Sequence, residues 1–320
     1  MNPVFKDVLI TGVKIAIVIA GMLGVVAYLT LMERKVVAYI QERLGPNRVG
    51  PWGLLQPIAD GIKLFFKEDV IPAHVDKLLY MIAPIIVMTM AVMPFVIIPF
   101  SKNFYLSDIN VGILLLLAIS GINTYGVLLA GLSSNSKYSM IGGLRVASQL
   151  ISYEVALALA FVGVVLWSGS MSLVKIVESQ HTVWNIIPQI IGFIVFFIAA
   201  LAELNRIPFD LPEAEAELVA GYHTEYSSMK FALFYLGEYA NLTAMSAIIT
   251  TIYLGGWQGP WFPGFIWFAI KMFVVLFVFM WIRWTYPRFR FDQLIGVGWK
   301  LLVPLALLNI AITAILRIYL

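Results

Sequence analysis

The sequence predicts an all-α, polytopic membrane bundle of about eight transmembrane helices with one interfacial amphipathic helix. Composition is the first ground: 61% of the 320 residues are hydrophobic and 12% charged, where a soluble domain carries about 25% charged residues. The mean hydropathy is +0.91. The second ground is the recurrence of apolar runs of roughly 20 residues, the length a helix needs to cross a bilayer. The third is an uneven distribution of Lys and Arg between alternate connections. No internal repeat or low-complexity segment divides the chain, so residues 1–320 are expected to form a single transmembrane domain.

The apolar runs lie at about 9–32, 78–100, 109–131, 147–168, 186–205, 231–254, 264–284 and 299–318. The stretch before the first includes Asp7 and has no small-residue cleavage site, so that run is expected to be a retained span. An even number of spans puts both termini on one side. The side reached by the connections at about 33–77, 132–146, 206–230 and 285–298 holds fifteen Lys and Arg; the other holds five, and Lys271 falls inside the seventh run. Lysine and arginine are retained on the cytoplasmic side, so both termini are expected to be periplasmic, in a bacterial inner membrane.

Within the long first connection, Leu54, Leu55, Ile58, Ile62, Phe65 and Phe66 recur at helical spacing, with Asp60, Lys63 and Lys67 mostly elsewhere around the helix. That pattern suits a helix lying at headgroup depth; a surface helix packed on a soluble partner reads the same way. Cysteine is absent, which excludes disulfides, thiolate-held iron–sulfur clusters and cysteine nucleophiles. His74, His181 and His223 are scattered outside the apolar runs, so neither a haem-ligand pair nor a metal site is expected. No nucleic-acid partner is expected either.

The chemistry-bearing residues are carboxylates set against lipid-soluble segments, which are costly and commonly mark ion or proton pathways. Seven lie between positions 203 and 238: Glu203, Asp210, Glu213, Glu215, Glu217, Glu225 and Glu238. Glu154 sits inside the fourth run, where an ionised carboxylate costs several kcal/mol of desolvation unless it is paired or neutral. Glu203 and Arg206 are spaced to pair on one helix face, as an ion pair at a helix end or as part of a site. Asp210-Leu211-Pro212-Glu213 reads as a helix start, with an N-cap and proline in the first turn. Glu213 and Glu217 are then a repulsive i, i+4 pair, and such crowded carboxylates titrate as a coupled set. Glu238 and Asn241, followed by Thr243, Ser246 and Thr250, put polar groups in the sixth run; Ser120, Asn123, Thr124 and Tyr125 do so in the third. These side chains fit interhelical hydrogen bonding or the lining of a hydrated path. Lys271 fits outward snorkelling or a place in that path. Glu33, Arg34 and Lys35 end the first span; Arg283, Arg288 and Arg290 follow the seventh, where positive-inside anchoring accounts well for Arg288.

Several blocks are too long for coincidence: Glu33-Arg34-Lys35, the stretch Gln41 to Asn47, Gly53 to Asp60, Ser133 to Tyr138, Ile151 to Glu154, Ala202 to Leu211, Glu225-Tyr226, Glu238-Tyr239 and Tyr286 to Leu294. In this order the chain closely resembles the membrane-embedded H subunits of bacterial NADH:quinone oxidoreductase (respiratory complex I), the counterparts of mitochondrial subunit 1. The resemblance covers nearly the whole chain. It implies a membrane subunit of a proton-translocating enzyme that takes quinone as substrate, with FMN and iron–sulfur clusters held in partner subunits. It implies contacts with other membrane-arm and peripheral-arm subunits and with the lipid bilayer. Glu33, Arg34 and Arg206 would line the quinone tunnel. Asp210, Glu213, Glu215 and Glu217 would lie in the loop beside it. Glu154, Glu203, Glu225 and Glu238 would carry a proton relay into the membrane, and Arg283 and Arg290 would face the peripheral arm. Pro212 departs from the alanine common in the family. The equivalent subunit of a related membrane-bound hydrogenase, a stand-alone proton-coupled transporter and a purely structural anchor are the competing readings.

Overall fold

The computed structural model describes residues 3–210 and 221–319, with the side chains of residues 3–7 left aside. Every described element is helical apart from one isolated bridge between Ser101 and Phe104. The helices are α1 (Pro3–Ile40), α2 (Gln56–Phe66), α3 (Lys77–Val92), α4 (Gly112–Ser133), α5 (Lys137–Ser168), α6 (Leu173–Ser179), α7 (Ile190–Glu203), α8 (Ser228–Tyr253), α9 (Gly264–Thr285), α10 (Phe291–Val297) and α11 (Val303–Tyr319). A π-helical turn, Gly298–Leu302, runs α10 into α11.

All eight apolar runs fall on helices, but the helices do not end where the apolar character ends. At 1.5 Å per residue the 38-residue α1 is about 57 Å long, far more than a hydrocarbon core of about 30 Å. Its last turns carry Glu33, Arg34 and Lys35 beyond the first apolar run. Likewise α5 begins at Lys137, ten residues before the fourth run, and turns most of the expected 132–146 connection into helix. Among the described residues, six helical segments are long and apolar enough to cross a membrane. Two expected spans fall short of that description for opposite reasons. The helix α7 is strongly apolar but has only 14 residues. The helix α8 has 26 residues but is too polar, and 17 of them are buried within the bundle. A helix wrapped by other helices has little lipid to satisfy, so α8 tolerates Glu238, Asn241 and a ladder of hydroxyls. Thr243, Ser246, Thr250 and Thr251 each donate to the carbonyl four residues earlier at 2.8 Å.

Two hubs organise the packing. Helix α5 lies against α4, α7 and α11; α8 lies against α3, α9 and α1; α3 against α4 joins the halves. Helices α4 and α5 approach closely because glycines face each other. A Cβ added at Gly131 would lie 2.7 Å from the Ser139 carbonyl oxygen and 3.0 Å from Gly143 Cα. Small residues at such crossings drive helix association in lipid. Gly131→Val is therefore expected to destabilise the protein by about 1–3 kcal/mol through overpacking, read as a lower melting temperature and lower yield of assembled complex. Gly24→Ala, where an added methyl meets nothing within 4 Å, is the neutral control.

Helix α2 carries no buried residue, and Ile58, Ile62, Phe65 and Phe66 are all more than half exposed. Its last carbonyls are held by Ser228 Oγ, which donates to Leu64 O (3.2 Å) and Lys67 O (2.7 Å). An apolar face thus stands out from the bundle on a helix fixed to the start of α8.

Candidate functional site

The extended end of α1, the last turn of α9 and the start of α8 converge, and the 204–210 connection folds between them. Gln149 of α5 holds that connection: its amide donates to Ala202 O (2.8 Å) and Phe209 O (2.9 Å). Phe289 N donates to Pro208 O (3.0 Å), and Arg288 pairs with buried Asp210 at 3.0 Å, tying the connection to the segment after α9. The Ile207–Pro208 peptide is cis.

This scaffold aims Arg206 into the bundle. Its Nη1 contacts both oxygens of Glu33, at 3.2 and 3.1 Å, and its guanidinium lies 4.4 Å from the centre of the Tyr239 ring. The Tyr239 hydroxyl donates to Glu33 Oε2 at 2.6 Å, and Arg283 Nη1 donates to Glu33 Oε1. A carboxylate only 4% exposed therefore accepts from two guanidinium groups and a phenol. Burial alone would lower the affinity of Arg206 for its proton; Glu33, with Tyr239 and Glu238, outweighs it and holds the group further above its ordinary range.

The cluster forms one wall of a cavity of about 630 Å³ whose far wall is the 43–48 segment. Lys35 Nζ donates to Trp52 O (2.5 Å), and Arg34 pairs with Asp60 of α2 at 2.7 Å. The cavity is thereby joined to the base of the amphipathic helix. Five arginines (Arg34, Arg43, Arg48, Arg206, Arg283) and two glutamates (Glu33, Glu238) line it. Its potential is positive, suited to a ligand that is electron-rich or becomes so.

A second acidic group lies deeper. Glu203 is half-buried: Oε1 accepts from Ser120 Oγ, and the buried Oε2 has no protein partner. Glu203, Ser120, Asn123 and Asn241 share a cavity of about 40 Å³, and Asn123 Oδ1 is also unpartnered. The rest of the cavity's lining is apolar. Glu154 is half-buried on α5, and its charge reaches Glu203; a methyl on Gly121 would come within 3.2 Å of Glu154 Oε1. No direct hydrogen bond joins this group to the upper one among the described residues. One helical turn does: Glu238 lines the large cavity and Asn241, three residues on, lines the small one.

The chain matches the profile of the NADH dehydrogenase family over residues 13–314. It is 51% identical to the H subunit of NADH-quinone oxidoreductase from Rhodospirillum rubrum over 305 residues, covering 93% of this chain and 90% of that protein. This chain belongs to the family of NADH-quinone oxidoreductase H subunits. The first of two such H subunits in Geobacter sulfurreducens is 50% identical over 324 aligned positions (94% and 93% coverage). The H subunit of Paramagnetospirillum magneticum is 49% identical over 320 (98% and 94%). The protein is thus a multi-pass membrane subunit of an enzyme complex that contains other subunits. No group of three or more His, Cys, Asp or Glu placed to hold a metal occurs among the described residues.

The structure brings together residues that the sequence left in separate groups. Glu33 and Arg206, 173 positions apart, are in contact. The expected Glu203–Arg206 pair does not form. Arg206 turns to Glu33, and Glu203 turns the other way, to Ser120, because the helix ends between them. Arg283, grouped by sequence with Arg290 as partner-facing, points inward to Glu33, whereas Arg290 is exposed and pairs with Asp292 at 3.3 Å. Arg288 holds Asp210 rather than serving only as a surface anchor. Lys271 does not snorkel: it is buried and donates to three backbone carbonyls. Glu225 sits apart, its backbone carbonyl accepting from Tyr80 Oη (2.7 Å) and its carboxylate 4.0 Å from His74 Nε2. Tyr222 donates to Glu238 Oε1 at 3.2 Å. Glu213, Glu215 and Glu217, with the expected cap of a helix by Asp210, lie outside the described residues.

Sequence reasoning did not single out Tyr239, Tyr222 or Asp60 as site residues. The available signal was the position of Tyr239 beside Glu238 in a polar helix, and of Asp60 on the polar side of α2.

Proposed function

We propose that the 630 Å³ cavity receives the headgroup of a quinone, and that the carboxylates below it carry protons linked to its reduction. The observation that carries this reading is Glu33, a buried anion held by Arg206, Arg283 and Tyr239 on the wall of a cationic cavity. Reducing a quinone to a quinol takes two electrons and two protons. The electrons come from partner subunits that hold FMN and iron–sulfur clusters, since this chain has no thiolates to hold a cluster. The negative charge that grows on the quinone oxygens is stabilised by preorganised guanidinium groups. An isoprenoid tail leaves past α2, whose exposed Ile58, Ile62 and Phe65 lie at the bilayer surface.

The charge change in the cavity acts first on Glu33 and Glu238, and on Asp210, Glu213, Glu215 and Glu217 in the adjoining connection. It is passed from Glu238 through Asn241 and the small cavity to Glu203 and Glu154. Glu225, near His74, exchanges protons at the surface. The cavity end of the bundle faces the cytoplasm of a bacterial inner membrane, with the peripheral arm docked over Arg290 and both termini periplasmic.

Glu154→Ala and Glu238→Ala in the assembled complex are expected to lower protons translocated per quinone reduced, measured in proteoliposomes with a pH-sensitive dye. Wild-type pumping in both variants sinks the relay. A photoreactive quinone is expected to label the segment around Arg43 and Trp284; labelling confined to other subunits sinks the cavity assignment.

A further inference from the structure

The opposite end of the bundle carries a second built feature. From Phe265 to Arg283, α9 runs about 27 Å, so the start of α9 lies across the bilayer from the Glu33 cavity. There an apolar groove of about 220 Å³ runs between the first half of α1 and the start of α9, floored by Phe95, Phe100, Phe104 and Phe268. On α1 its wall is the stripe Ile17, Gly21 and Val25, one residue per turn.

A polar cavity of about 510 Å³ adjoins it, lined by Ser101, Lys102, His181, Trp184 and Gln258. The two spaces are lined by neighbouring residues of the same two segments. Phe100 and Phe104 face the groove while Ser101 and Lys102, between them in sequence, face the polar cavity; Phe262 and Gly264 line the cavity and Phe265 the groove. Beneath the polar cavity lies Lys271. Its ammonium donates to Leu254 O (2.6 Å), Gly256 O (3.2 Å) and Gln258 O (2.6 Å), and sits 4.2 Å from the centre of the Trp184 ring. No carboxylate pairs with it among the described residues, so its charge is felt through the cavity wall. Among the acids of this end whose side chains are described, Asp108 (bonded by Ser172 Oγ) and Glu178 line neither space. Trp261, 91% exposed, and half-exposed Phe262 and Phe265 mark headgroup depth beside the opening.

We propose that this paired cavity and groove bind one anionic phospholipid of the leaflet opposite the quinone cavity. Its phosphate sits between Lys102 and His181 above Lys271, and one acyl chain lies in the phenylalanine-floored groove along Gly21. The charge complementarity selects an anionic headgroup, and the contiguity of polar and apolar walls selects a lipid over a free anion.

The test uses the delipidated, assembled complex and phosphatidylglycerol carrying a diazirine on one acyl chain. After photolysis, label is expected on peptides spanning residues 15–25 and 262–272. Unlabelled phosphatidylglycerol competes, phosphatidylcholine competes more weakly, and inorganic phosphate does not. Lys102→Glu is expected to reduce labelling about fivefold or more, the scale of one surface cation on an anionic lipid. Gly21→Leu places a side chain in the groove where an added Cβ meets nothing within 4 Å, so it blocks the acyl chain without disturbing the helix. It is expected to remove labelling at both peptides. Equal competition by phosphatidylcholine, effective competition by inorganic phosphate, unchanged labelling in Gly21→Leu, or no label on these peptides in the wild type would each overturn the proposal. None of these readouts depends on quinone reduction.

Discussion

Glu33→Ala is expected to abolish most quinone reduction and to weaken the fold. The substitution leaves Arg206 and Arg283 facing each other without the carboxylate that both contact, and takes the acceptor from Tyr239 Oη. Arg206 is only 6% exposed, and stranding a buried charge costs about 3–5 kcal/mol. Without Glu33 the two guanidinium groups lose the partner that holds them in place, and a misplaced donor at a developing negative charge costs roughly 100-fold in turnover. The measurement is NADH:quinone turnover of the assembled complex beside NADH oxidation by an artificial acceptor that takes electrons before the membrane arm. The first is expected to fall and the second to hold. Glu33→Gln, which keeps an acceptor for Tyr239 but not the charge, should fall between wild type and Glu33→Ala. Normal quinone turnover in Glu33→Ala would show that the cluster is an internal brace and not part of the reaction.

The placement of Glu33 shows where sequence and structure part company. Its place at the end of an apolar run reads as a membrane boundary residue, because hydropathy marks where lipid ends and not where a helix ends. The structure continues α1 to Ile40, and Glu33 turns inward. The same limit applies at Lys137, where α5 starts well before its apolar part. The class of fold was legible because composition, run length and charge asymmetry all follow from the solvent, and the solvent is a bilayer. The acidic character of the site was legible for the same reason, since a carboxylate near lipid is conspicuous.

Pairing was not legible. Arg206 reaches Glu33 instead of its near neighbour Glu203, and Arg283 turns toward the same acid, because helix ends set direction and spacing sets only proximity along one helix. Lys271 is the clearest case. Its position in an apolar run allows snorkelling or a path, but three carbonyls exposed by the 254–258 turn provide a third solution that no periodicity encodes. Tyrosines were missed because a tyrosine in a membrane helix is ordinary until its hydroxyl is seen to meet a carboxylate.

Glu203→Gln discriminates most sharply between a buried acid kept for proton transfer and one kept for packing. The amide matches the carboxylate in volume and keeps an oxygen for Ser120, so the 40 Å³ cavity and the α4–α7 contact persist. What it removes is the proton-binding site. Proton transfer by a positioned side chain is worth typically about 100- to 10,000-fold; a relay through Glu203 is expected to lose at least the lower figure in coupled turnover. Thermal stability of the assembled complex is expected to hold. Ser120→Ala removes only the hydrogen bond, worth about 1 kcal/mol, and is expected to leave turnover within a few-fold of wild type. If Glu203→Gln pumps with the wild-type ratio of protons to quinone, the route from Asn241 to Glu154 does not carry protons. If Ser120→Ala is as damaging as Glu203→Gln, the hydrogen bond that orients the acid matters more than its proton, and Glu203 is structural. The decisive feature is that the buried Oε2, beside a small cavity, has no protein donor. A packing acid in lipid would be expected to have both oxygens satisfied by the protein, and Glu203 has one left unsatisfied.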